Sequence, residues 1–225
     1  MKKFILNEVR GLKVRKLLQL TLTLLLGLVL SSGNCTTDPV PDPFTDTGVT
    51  INGVVWATRN VDEPGKFAAK PESFGMFYLW NKKLGWSSTD PLKNSNGGTI
   101  WEPITGGGPA WATDNDPCPT GWRIPTGAEL SKLANNAIVT RVWGEKNSVK
   151  GYFFAHNGNE IFLPAAGCRG GSGTLALTGA DGRYWGSGTA YMTVHGLLFR
   201  ESMMSDGYSG PLGLNEAWSI RCVKK

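Results

Sequence analysis

The C-terminal third limits this chain most. Two aromatic and apolar blocks, Phe162-Leu163-Pro164-Ala165-Ala166-Gly167 and Trp218-Ser219-Ile220-Arg221-Cys222-Val223, bracket a long Gly/Ser/Thr-rich segment. That segment has no helical or strand period, whereas a helix or strand keeps its apolar residues in step with its geometry. Rigid blocks around irregular chain suit a scaffold that holds a surface for binding. They do not suit the exact placement of a few catalytic groups.

The N-terminus reads as a targeting signal over residues 1–34. Lys2, Lys3, Arg10, Lys13, Arg15 and Lys16 precede an apolar run from Leu17 to Leu30, then Ser31, Ser32, Gly33, Asn34 and Cys35. Such a run is too short for a membrane span and matches an export signal. A Cys directly behind it predicts a lipoprotein with Cys35 as the lipidated residue. The net charge of +5 comes from this leader, which carries six Lys/Arg and one Glu. Residues 35–225 are balanced, so the charge gives no reason to expect nucleic acid as a partner.

Residues 35–47, with Asp38, Asp42 and Asp46 among Pro39, Pro41 and Pro43, predict an extended tether. Residues 48–225 are long enough for one domain. Nine Trp and 30 Gly predict a loop-rich fold of short strands. Three cysteines remain in this part, so one bridge leaves a spare thiol. Cys118 and Cys222 lie in tight aromatic motifs and are the expected pair, with Cys168 free.

Val49 to Trp56 reads as a strand that can turn at Asn52-Gly53. Phe74 to Trp80 reads as buried, residues 85–110 as an excursion loop, and Cys118 to Pro125 as a turn into a strand. Thr126 and Glu129 have the spacing of a capping box ahead of a short helix with Leu130 and Leu133 inward. Tyr152–Ala155 and Glu160–Pro164 predict a strand pair. Arg183–Ser187, Leu197–Phe199 and Trp218–Val223 predict further strands.

Five ordered blocks carry a resemblance. They are Val49 to Asn60, Asn115 to Thr126, Leu163 to Gly167, Tyr184 to Ser187 and Ser219 to Lys224. Together they resemble the Fibrobacter succinogenes major paralogous domain of the C-type-lectin-like superfamily. The resemblance spans about residues 48–225. It implies an α+β, C-type-lectin-like fold of short twisted antiparallel strands, one or two helices and large loops. More narrowly, the C-terminal part is similar to the variable proteins of diversity-generating retroelements. There, adenines of certain codons are randomised, and the reachable residues exclude Lys, Glu, Gln, Met and Trp. Residues 168–183 contain none of these five. The implied variable region is about 168–216, although Met192, Glu201, Met203, Met204 and Glu216 must then be fixed positions.

Chemistry has little to draw on. His156 and His195 are the only histidines, too few for a His-rich metal site or an obvious triad. Asp114, Asn115 and Asp116 offer oxygen ligands, but their spacing is not that of an EF-hand, and a side-chain-capped turn is the favoured reading. The Gly-rich runs lack the Lys-Ser/Thr of a phosphate loop. No catalytic residue, metal or cofactor is expected.

The expected contact residues are the short, varied ones between the blocks: Arg169, Ser172, Thr174, Leu177, Asp181, Arg183, His195 and Leu198. Cys168, Gly170, Ala176 and Ala180 lie in the same segment and join them. The expectation is a lipoprotein of the outer membrane or cell surface, anchored through its lipid. It would bind a protein or glycan on another cell, a phage or a host. The alternatives are a tip or accessory subunit of a surface assembly, and an oxidase of the formylglycine-forming type.

Overall fold

The computed structural model describes residues 45–104, 108, 110–190, 193–205 and 215–225. Cys35, the leader and most of the tether lie outside these residues. The end of the tether range is docked, because the Asp46 carboxylate accepts from the backbone N–H groups of Gly48 and Thr58 and faces Arg59.

The strands in chain order are β1 (Val49–Ile51), β2 (Val54–Trp56), β3 (Met76–Leu79), β4 (Gly85–Ser87), β5 (Trp122–Arg123), β6 (Thr140–Lys146), β7 (Val149–His156), β8 (Asn159–Pro164), β9 (Cys168–Arg169), β10 (Leu175–Ala176), β11 (Gly182–Ala190), β12 (Thr193–Arg200), β13 (Met203–Ser205), β14 (Ala217–Trp218) and β15 (Val223–Lys224). The one α-helix among the described residues is α1 (Gly127–Ala134). Among the described residues the strands form four antiparallel sheets, ordered β1-β2-β15-β5, β10-β9-β14-β3-β4, β11-β12-β13 and β6-β7-β8.

This corrects the α+β expectation. About 40% of the structure is strand and 7% helical, so the fold is nearly all-β. Within the segment expected to be aperiodic, the strands expected at Arg183–Ser187 and Leu197–Phe199 are present and longer, as β11 and β12. They pair from Gly182↔Phe199 to Ala190↔Thr193 with one irregularity after Trp185. Gly and Thr hide a strand from a period count because they add little hydrophobic contrast. The excursion expected at 85–110 begins as β4, paired with β3.

Turn chemistry sets three of the hairpins. Asn52-Gly53, Asn147-Ser148 and Asn157-Gly158 all have positive φ at both positions. Two-residue hairpins of type I′ require this, and Asn tolerates it better than most side chains.

The core divides along the strands. Successive side chains of a strand point to opposite faces. Tyr184 therefore enters one cluster with Trp56, Leu130, Phe154, Leu163 and Phe199, while Trp185 enters another with Tyr78, Trp80, Trp111, Trp218 and Cys222. Trp185 stacks on Trp218 at 4.0 Å between ring centroids and donates its indole N–H to Tyr78 O at 2.6 Å. Cys118 and Cys222 are disulfide-bonded across 104 residues of chain, as expected, and Cys168 is a buried free thiol.

Arg221 is fully buried, and among the described residues no carboxylate forms an ion pair with it. It donates to Asn60 Oδ1 at 2.9 Å, Ala57 O at 3.2 Å and Phe162 O at 3.0 Å. Burial pulls its guanidinium down to about 10, still charged at neutral pH. Replacing it with an apolar chain would orphan three buried acceptors. Arg221→Met is expected to lower the unfolding free energy by roughly 3 kcal/mol. A change below about 0.5 kcal/mol in urea titration would show that the hub carries no stability.

Helix α1 starts at the expected capping box. Thr126 Oγ1 accepts from Glu129 N, and Glu129 Oε2 accepts from Thr126 N at 2.8 Å. Arg123 holds the same carboxylate with two bonds, at 2.8 and 2.7 Å. Burial opposes the Glu129 charge, but the bonds from Arg123 and Thr126 outweigh it and bring its pKa from 4.5 to about 2. A pKa depressed on folding adds stability that is complete above the unfolded value and lost as pH falls through the folded one. The wild type should therefore lose this contribution between about pH 4.5 and pH 2. Glu129→Gln should flatten the melting-temperature profile in that window, and an unchanged profile would exclude the pairing as its cause.

Candidate functional site

The segment from Cys168 to Arg183 is built as fixed bases under exposed tips. Strands β9 and β10 form a hairpin whose loop is Gly170 to Thr174. Gly170 N donates to Thr174 O and Gly173 N to Gly170 O. At the tip, Ser172 and Thr174 are exposed and share a 2.8 Å hydroxyl contact. A second turn follows, in which Leu177 O accepts from both Ala180 N and Asp181 N. Leu177 and Ala180 are exposed there. Gly167 closes the base with φ of 75°, and a Cβ at that position would strike the Ala176 carbonyl.

Arg169 locks the first tip from below. It is 1% exposed and its guanidinium donates to Ser87 O (2.7 Å), Ser87 Oγ (3.0 Å), Thr89 O (2.7 Å), Gly173 O (2.6 Å) and Asp90 Oδ1 (3.2 Å). One side chain thus ties residues 87–90 to the hairpin loop. Trp101 covers the same loop and donates to Gly171 O at 2.9 Å, with its ring edge-on to Trp86. Beside it, Ile100 and Ile104 are 77% and 65% exposed.

Asp181 locks the second turn. Its carboxylate is buried and binds Arg200 at 2.8 Å and Arg183 at 3.3 Å. Arg183 also binds Glu216 and lies 5.8 Å over the Trp218 ring, while Trp218 donates its indole N–H to Glu216.

The expected contact residues therefore fall into distinct settings. Ser172, Thr174, Leu177 and Ala180 are exposed, and Gly170, Ala176, Arg183 and His195 are half-buried. Cys168, Arg169, Asp181 and Leu198 are buried, so their side chains brace the loops from inside and offer no outer surface. His195 lies against Gly127 at the start of α1. Nothing in the residue pattern signals this division, because an arginine or aspartate between glycines reads the same whether it faces solvent or a ring of carbonyls.

The remaining chemistry is sparse. Burial pushes the Cys168 thiol up to about 11, partly offset by Arg183, and a protonated thiol is a poor nucleophile. Asn115 caps a turn by donating to Asn81 O, and Asp116 accepts from Cys118 N and Ile124 N. Among the described residues no three His, Cys, Asp or Glu side chains are grouped to hold a metal ion.

Arg169→Ala should remove five partners at once and cost roughly 2–4 kcal/mol. Amide exchange should quicken at both Ser87–Asp90 and Gly170–Thr174. Faster exchange in only one of the two segments would show that Arg169 does not couple them. Comparison with protein-family models, with curated proteins and with solved structures returned no match.

Proposed function

We propose that this chain is an exported, lipid-anchored recognition protein whose exposed tips at 170–174 and 177–180 contact a ligand without catalysis. The observation that carries this reading is the contrast between tips and bases. Ser172, Thr174, Leu177 and Ala180 are exposed, while Arg169 and Asp181 beneath them are almost fully buried and multiply bonded. A surface held this way keeps its shape when its tips change, and a preordered surface loses less entropy on binding.

The same contrast supports diversification of the tips by a retroelement, on the strength of the ordered blocks given above. Membership of an anchored surface class rests on the leader and Cys35. A disulfide-closed domain is compatible with an oxidising compartment. Exposed Ile100 and Ile104 favour a second reading, a subunit that buries this pair in a permanent assembly. The buried, protonated Cys168 weighs against an oxidase that would need a reactive thiol.

Deep sequencing of the gene's 3′ end across a growing population tests the diversified form. Substitutions should fall on the codons of Ser172, Thr174, Leu177 and Ala180, spare those of Gly167 and Asp181, and be matched by a nearby template copy. Invariant tips with no template would leave a fixed binding protein or assembly subunit. Protease treatment of intact cells tests surface display, and full protection of the domain would remove that part of the proposal.

A further inference from the structure

A shallow cleft of about 410 Å3 opens on the side of the 177–180 turn. It is walled by Trp143 on β6, Lys150 on β7, the 177–181 turn, and Arg200, Glu201 and Ser202 at the end of β12. We propose that this cleft binds a neutral saccharide, a proposal that deepens the recognition reading and rests on it. Trp143 supplies a flat face for the C–H side of a pyranose ring. Arg200, Lys150 and Glu201 bond its hydroxyls.

The walls are preorganised. Trp143 is half-buried and fixed edge-on by Tyr152 at 5.3 Å and Phe199 at 6.4 Å. Arg200 is held by both Asp181 oxygens, Nε at 2.8 Å and Nη2 at 3.0 Å, yet its side chain is still 51% exposed. The following turn is pinned by the Tyr152 hydroxyl, which donates to Glu201 O at 2.9 Å. Strands and packed rings thus place an aromatic ring, donors and an acceptor around one cleft, the mixture expected of a small-ligand site.

The chemistry selects the ligand class. Lys150 and Arg200 are balanced by Asp181 and Glu201, so the cleft has no excess charge to draw an anion or a cation. One aromatic ring is too few to cage a quaternary ammonium. A purely apolar ligand would leave the charged groups desolvated and unpaired. A polyol ring satisfies both donors and acceptors through its hydroxyls and still offers an apolar face to the indole. Leu177 at the rim adds an independent sign. It is 42% exposed and has φ of 61°, a conformation that costs a non-glycine residue about 1–2 kcal/mol. Such strain concentrates at ligand sites.

The test titrates the full-length chain with neutral hexose and N-acetylhexosamine oligosaccharides, beside sialylated and uronic-acid oligosaccharides, by saturation-transfer NMR and calorimetry. At least one neutral oligosaccharide should bind. Ser202→Trp, which fills the cleft from an exposed turn, should abolish that binding without lowering the melting temperature. Lys150→Ala, at another exposed position, should weaken it by about fivefold or more. Lys132→Ala, at an exposed position of α1 outside both the cleft and the tips, should leave it unchanged. The proposal is overturned if no neutral saccharide binds, if only anionic ones do, or if Ser202→Trp binds like the wild type. A saccharide blocked by Ser172→Arg but not by Ser202→Trp would keep the recognition reading and discard this cleft.

Discussion

The buried guanidinium of Arg221 is the constraint on which the rest of the structure depends. A charge withdrawn from water must be fully bonded, and here its partners come from three separated stretches: Ala57 and Asn60, Phe162, and the C-terminal block itself. Meeting that requirement brings the start, middle and end of the domain to one point. The flanking residues use the same convergence. Ile220 O accepts from Val61 N, and Cys222 O from Ala57 N. β14 becomes the middle strand of one sheet and β15 an interior strand of another. The disulfide at Cys222 adds a covalent tie to a place already fixed by hydrogen bonds.

From that point the molecule is organised outward by alternation. Tyr184 and Trp185 are neighbours in sequence and serve opposite clusters, and the Trp185–Trp218 stack joins β11 to the C-terminal block. The loops beyond have few apolar residues of their own. They are held by buried ions, Arg169 under one tip and Asp181 under the other, each satisfying several partners. A short polar loop keeps a defined shape in this way without a hydrophobic core. The same device lets Ser172, Thr174, Leu177 and Ala180 stay at the surface, free of structural duty to the bases.

Much of the local structure was legible because its causes are local. The Asn52-Gly53 and Asn157-Gly158 turns, the Thr126–Glu129 box and the 152–164 strand pair follow from side chains that bond or bend their own backbone. Strand β6 was not read, although Thr140 to Lys146 alternates in exposure and ends at the Asn147-Ser148 turn. Its Trp143 sits beside Gly144 and two charged residues, which dilutes the apolar contrast. The helical share was overstated because the family resemblance supplied it, while the residues themselves support one helix. For the candidate contact residues, the sequence supplied the segment but not the orientation of its side chains. The segment 168–183 drew attention for its irregularity, yet nothing in Gly-rich chain marks which polar residues turn inward.

The sequence by itself determined the turns, the helix cap and the excess of aromatic core residues, because each depends on residue type and near neighbours. Only the tertiary structure decided that Arg169, Asp181 and Arg221 are internal braces, and that Trp143, Lys150 and Arg200 share one cleft. Those facts depend on which distant carbonyls, carboxylates and rings the folded chain brings within bonding distance, and no local pattern records that distance.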